Sequence, residues 1–194
     1  AMEERHVTVD GECYQLPVPF LLLATQNPID FEGTYVLPEA QLDRFMMKFS
    51  LGYPSEEAEN RMVMVHSRVS PLDAIEPVTT VEAVAEMQQM VRDLHMDPAV
   101  GEYAVHIVRK TREHPAVYLG ASPRATIALI QAAKAYAFLN ERDYVVPDDI
   151  KYLVPHVLGH RILLHTNARL EGATVPTVLE SVLQTVRGPV RLER

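Results

Sequence analysis

Leu21-Leu22-Leu23-Ala24-Thr25-Gln26-Asn27 is an apolar run ending in amide side chains, and Leu42-Asp43-Arg44-Phe45 follows about one short helix later. A continuous apolar run of this length is the pattern of a buried parallel strand, and ligands of open α/β sheets gather at the carboxyl ends of such strands. The reading predicts a strand over Phe20 to Thr25 with Gln26 and Asn27 emerging at a ligand site. Upstream, His6-Val7-Thr8-Val9 and Glu12-Cys13-Tyr14-Gln15 flank Asp10-Gly11, a turn pair that favours hairpins. Downstream, Pro28 to Leu37 reads as a loop, and Pro38 suits the first position of a short helix reaching about Phe45. Met47, Phe49 and Leu51 alternate with Lys48 and Ser50, which predicts a second strand stopping at Gly52-Tyr53-Pro54.

Beyond Pro54 the signals turn helical. Ser55 is a candidate N-cap, with Glu56 and Glu57 in a first turn whose dipole favours acids, and this helix is expected to reach Ser67. After a loop over Ser70 to Pro77, a helix is expected from Thr80 to Leu94. Asp97-Pro98 opens another, with Val100, Tyr103, Ala104, Ile107 and Val108 on one face, ending near His114-Pro115. Ser122-Pro123 starts a helix to about Leu139, Pro147-Asp148-Asp149 one to about Leu158 or a little beyond, and a last helix covers roughly Val175 to Val186. The expected architecture is therefore a partial α/β layer over residues 1–53 followed by an all-α domain over 54–194.

The chain has 194 residues and a formal charge of −8, so a grip on nucleic-acid phosphates through overall charge is not expected. Cys13 is the only cysteine, which excludes an intrachain disulfide and fits a reducing, cytoplasmic setting. No stretch has the length and apolarity of a membrane span. Ala1 to Arg5 reads as the last turn of a helix without its beginning, so the chain is expected to be a fragment. No Gly-x-x-x-x-Gly-Lys-[Ser/Thr] phosphate loop occurs, and no glycine is followed by lysine.

Asn27, Arg44 and Arg124 carry the functional case. Asn27 can orient a water or a phosphate, or simply turn the chain before Pro28. Arg44, in the last turn of a short helix, can reach an anion or pair with Asp43, Glu39 or another neighbour. Arg124 lies in the first turn of its helix, where the dipole disfavours a cation by about 0.3–1 kcal/mol unless an anion or an acid compensates. His156 and His160 are four residues apart with His165 nearby, but the His-Glu-x-x-His pattern is missing, and no metal-ligand set is assigned. Val145-Val146-Pro147-Asp148-Asp149 faintly imitates an apolar strand ending in two acids, yet Pro147 makes it a helix start.

Ala-Thr-Gln-Asn-Pro (24–28), Glu-Gly-Thr-Tyr (32–35), Leu-Pro-Glu-Ala-Gln-Leu-Asp-Arg-Phe (37–45), Gly-Tyr-Pro (52–54) and Gly-Ala-Ser-Pro-Arg-Ala (120–125) occur in order, with Arg142 to Ile150 and His160-Arg161-Ile162 behind them. In these blocks the chain resembles the MoxR family of AAA+ ATPases. The resemblance implies a truncated AAA+ core (β-hairpin, two parallel strands, short helix) and a helical AAA+ lid. It implies Asn27 as sensor 1, Arg44 as the arginine finger, Arg124 as sensor 2, and residues 6–15 as the pre-sensor-1 hairpin. The Walker A loop and the acidic Walker B strand are the departure, for neither is in the chain. The resemblance thus implies ATP and Mg²⁺ as cofactors of the full-length ATPase, with none bound by this fragment, which should not hydrolyse ATP by itself.

For the full-length protein it further implies a homo-oligomeric, hexameric ring. Its activity would be chaperone-like remodelling or maturation of client proteins, often ones with von Willebrand factor A-type domains. One alternative is an AAA+ DNA motor or helicase relative, which should carry Lys or Arg at the hairpin tip, where this chain has Asp10-Gly11-Glu12. The other is a non-catalytic helical interaction module.

Overall fold

The computed structural model describes residues 6–26, 37–66 and 75–189. The N-terminal hairpin forms as its sequence predicts, with β1 (His6–Val9) antiparallel to β2 (Glu12–Gln15) and Val9 opposite Glu12. Its turn places Asp10 at φ 52° and Gly11 at φ 85°, the left-handed pair that a two-residue type I′ turn requires. The short helix α1 (Glu39–Leu42) starts behind Pro38 and ends at Asp43.

The two strands expected at Phe20 to Thr25 and at Met47 to Leu51 are not formed, a correction with a plain cause. A strand exists through its neighbours, because its ladder N–H and C=O groups are satisfied only by a strand about 4.8 Å to the side. Among the described residues no other segment pairs with either one. Leu23 is 81% exposed and Leu51 91% exposed. The Lys48 N–H bonds instead to the His156 carbonyl at 2.9 Å, and Lys48 Nζ reaches Gln26 Oε1 at 3.4 Å.

The helical expectations hold closely. α2 (Glu56–His66) begins after Ser55, whose hydroxyl accepts from the Ala58 N–H. α3 (Val81–Asp93) is capped by Thr80, and α4 (Pro98–Glu113) by Asp97, whose carboxylate accepts from the Ala99 N–H at 2.7 Å. α5 (Pro123–Leu139) and α6 (Pro147–Leu158) both start with proline, where the missing N–H costs nothing. α7 (Thr166–Leu170) and α8 (Val175–Thr185) complete the helices. The sequence reading missed α7 and a small antiparallel pair, β3 (Val117–Leu119) with β4 (Leu163–Leu164), each too short to show a period.

One core holds the helices together. α5 packs on α3, α4 and α6, and α8 closes against α4 and α6. Val100, Tyr103, Ala104, Ile107 and Val108, the predicted face of α4, are all buried, beside Leu129, Ile150, Val154, Leu179 and Val182. Asp149, in the first turn of α6, is gripped by both terminal nitrogens of Arg142 at 2.8 and 2.6 Å and accepts from the Val146 N–H at 2.9 Å. Its carboxylate serves the helix start, as the Pro147 context predicts. Ala1 to Arg5, Ser67 and the loop from Pro28 onward, save Leu37, lie outside the described residues, as does Ser70 to Ala74 of the second loop.

Candidate functional site

The start of α5 is fixed from α4. Thr111, buried on α4, donates its hydroxyl to the Val108 carbonyl at 2.6 Å and accepts from the Ala121 N–H at 3.1 Å. Arg112 Nε donates to the Ala121 carbonyl at 2.7 Å. Gly120 passes so near that a Cβ there would lie 2.7 Å from Arg112 Cα, which explains a glycine at this position. Gly120 and Ala121 are thereby pinned to α4, and Ser122 and Arg124 are presented from a rigid base.

Ser122 occupies the N-cap position but does not cap, and its Oγ donates instead to the Asp43 carboxylate, 3.2 Å from each oxygen. Arg124 Nη1 lies 3.0 Å from Asp43 Oδ2. The acid that compensates a first-turn arginine is therefore Asp43, which arrives from the α1 end of the chain. This pair is open to water, the arginine side chain being 46% exposed and the aspartate 20%, and exposed pairs contribute no more than about 1 kcal/mol. Asp43 is thus not the partner of Arg44. Arg44 is exposed, and among the described residues its guanidinium has no ion-pair or hydrogen-bond partner.

A second arginine approaches Asp43 from beneath. Arg161, only 2% exposed at its side chain, places Nη1 3.6 Å from Asp43 Oδ1, and that nitrogen has no hydrogen-bond partner. Its Nη2 donates to the Phe45 carbonyl at 2.5 Å and lies 3.5 Å from the Met46 carbonyl. His160 Nε2 sits 3.1 Å from the same Phe45 oxygen. Burial pushes the His160 imidazole below its ordinary pKa, the Phe45 carbonyl opposing and the Arg161 cation adding to the fall. Arg161 is likewise lowered, by burial first, with Asp43 acting against it.

Of the sequence-predicted site residues, Arg124 is held by Asp43, Arg44 follows Asp43 in the chain with its side chain exposed, and Asn27 lies outside the described residues. From sequence, Asp43 stands only as a possible partner of Arg44, and Arg161 only as part of a matching block. A buried arginine beyond α6 has no periodic signature, so only its tertiary contacts expose it. The other histidines have separate settings, His156 tilted on Tyr152 and His165 edge-on to Tyr118, each at 5.7 Å. Among the described residues no group of His, Cys, Asp and Glu side chains is placed to hold a metal ion, and no helix is long and apolar enough to cross a membrane. A solvent-reachable guanidinium such as that of Arg124, or that of Arg44, which has no carboxylate partner among the described residues, can grip a phosphate oxygen.

Comparison with known proteins places the whole chain in a family. The family described as AAA lid domain matches residues 109–182, and the ATPase family associated with various cellular activities (AAA) matches residues 1–47. The Bacillus subtilis protein YeaC is 48% identical over 98% of this chain and 60% of its own length. Chaperone MoxR1 of Mycobacterium tuberculosis is 39% identical over 97% of this chain and 52% of its own. The crystal structure of a protein from Cytophaga hutchinsonii classed as an ATPase superposes with a TM-score of 0.89 at 37% identity, covering 97% of this chain and 60% of that one. The chain thus spans 52–60% of the length of these relatives. With both family matches, the shared fold and MoxR-named relatives aligned along nearly all its length, the chain belongs to the MoxR family of AAA+ ATPases.

Proposed function

We propose that this chain is the sensor, finger and lid portion of an ATP-hydrolysing ring that remodels or matures client proteins, with the two parts meeting between residues 53 and 54. The observation that carries the reading is the contrast at Leu42 to Phe45. Asp43 and the Phe45 carbonyl are held from the helical part, while Arg44 between them stays exposed with no partner among the described residues. An unpaired guanidinium on a braced segment is what an arginine finger needs, since its value comes from being placed before charge develops. Arg44 reaches the nucleotide of the neighbouring subunit in a hexameric ring, Arg124 grips phosphate as sensor 2, and Asn27 orients the attacking water as sensor 1. ATP with Mg²⁺, when bound, supplies the γ-phosphoryl group and much of the charge neutralisation. The fragment lacks a phosphate-cradling loop and binds nucleotide poorly by itself.

The chaperone reading is carried over from the name of the MoxR1 relative, and a client with a von Willebrand factor A-type domain from the family resemblance. The single cysteine fits a cytoplasmic assembly. The exposed, acidic hairpin tip at Asp10 and Glu12 speaks against a DNA motor, which needs cations there.

The test is Arg124→Ala in the full-length protein. Turnover should be lost while the melting temperature changes little, because the Asp43 pair is solvent-screened. Arg124→Lys should restore only part of the activity, the bidentate fork being gone. Unchanged turnover in Arg124→Ala, or a loss of stability of about 3 kcal/mol or more as for a buried pair, would overturn the sensor role.

A further inference from the structure

Asp43 sits between two arginines that it satisfies unequally. It holds the exposed Arg124 at 3.0 Å, while the buried Arg161 stands at 3.6 Å with Nη1 lacking a hydrogen bond. A buried guanidinium nitrogen without a partner is costly, and a small shift of one carboxylate oxygen toward it would satisfy it. We propose that Asp43 is an internal stand-in for phosphate. It holds Arg124 while nucleotide is absent, and shifts to Arg161, keeping its bond from Ser122, when Arg124 turns to a nucleotide phosphate.

The exchange needs no stranded charge. On release of Arg124, the carboxylate keeps the Ser122 hydroxyl and gains Arg161 Nη1, while Arg161 Nη2 stays on the Phe45 carbonyl. Because Asp43 and Phe45 flank Arg44, a shift of Asp43 toward Arg161 also moves the base of Arg44. Occupancy of a subunit's own site is thereby reported to the arginine that the subunit offers its neighbour. This makes Asp43 a positioning residue for Arg44 and a competitor for Arg124, and it rests on the roles given above to Arg44 and Arg124.

The two functions of Asp43 push kinetics in opposite senses, which a merely structural role does not do. In the full-length ATPase, Asp43→Asn keeps the size and an acceptor for Ser122 but removes the charge. KM for ATP should fall about two- to five-fold, the range for losing an exposed competing ion pair. In the same variant kcat should fall about ten-fold or more, since a displaced catalytic group is heavily penalised. Should Asp43→Asn fail to fold with Arg161 left uncompensated, Ser122→Ala loosens the same carboxylate with every charge intact, and KM should fall less but in the same direction. A KM unchanged or raised in the folded variant overturns the exchange. If Arg44→Ala and Arg124→Ala themselves leave kcat and KM untouched, the failure lies instead in the roles assigned to those arginines.

Discussion

The helical part and the N-terminal segment carry similar proportions of apolar residues and use them in opposite ways. Ile107, Leu129, Ile150 and Val154 are sealed between α4, α5 and α6, whereas Leu21, Leu23, Phe49, Leu51 and Tyr53 are mostly open to solvent. The difference is one of partners. A helix satisfies its own backbone and needs only one covered stripe, so four or five helices close a core among themselves. An apolar strand needs neighbours on both edges and layers on both faces, and without them its residues gain nothing from the pattern. Stability therefore resides in the helices, and the N-terminal segment is held mainly where Asp43, Phe45 and Lys48 meet α5, α6 and the turn after α6.

The sharpest way to break that comparison is a matched pair of truncations. Ile107→Ala should cost about 2–5 kcal/mol, as for other cavity-forming core changes. Leu51→Ala, at a residue 91% exposed, should stay within about 0.5 kcal/mol in chemical denaturation of this chain. Comparable losses at both sites would mean that the N-terminal run is buried after all.

Gly120→Ala probes the joint between core and site. With Arg112 backbone 2.7 Å from the new Cβ, α5 must shift, and a loss of about 1–3 kcal/mol is expected from overpacking. The thermal melt should record that loss, and the Arg124 to Asp43 pair should loosen with it.

A smaller effect should come from pH. Burial lowers the folded His160 pKa below its unfolded value near 6.5, so the unfolded chain takes up the proton first. The stability that neutral His160 contributes is complete above about pH 6.5 and is lost as pH falls through that value toward the folded pKa. The melting temperature should thus drop between pH 7.5 and 5.5, and His160→Gln should flatten part of the drop. An identical slope in the variant would show that other groups carry it.

Much of this was legible in the sequence, and for identifiable reasons. Caps and prolines at Thr80, Asp97-Pro98, Ser122-Pro123 and Pro147 mark helix starts by local chemistry, and the structure places α3 to α6 within a residue or so of them. The Asp10-Gly11 turn is equally local. Two parallel strands were read from an apolar run and an alternation, but strands are tertiary objects, and no paired neighbour exists among the described residues. The role of Asp43 was hidden for the same reason. Its contacts to Ser122, Arg124 and Arg161 span most of the chain, and nothing in Leu-Asp-Arg-Phe says which of two adjacent charges is held and which has no partner among the described residues.

The central claim, that Arg44 is a finger offered to a neighbouring subunit, is tested most directly by ATP turnover of full-length Arg44→Ala, alone and mixed with a subunit disabled in its own phosphate-binding loop. Alone, the variant should lose about 10³–10⁵ in kcat while binding ATP within a few-fold of normal. Mixed, part of the activity should return, because an intact site in one subunit then meets an intact Arg44 from the next. Turnover unchanged in the variant, or lost and not restored in rings that assemble normally, would contradict the account.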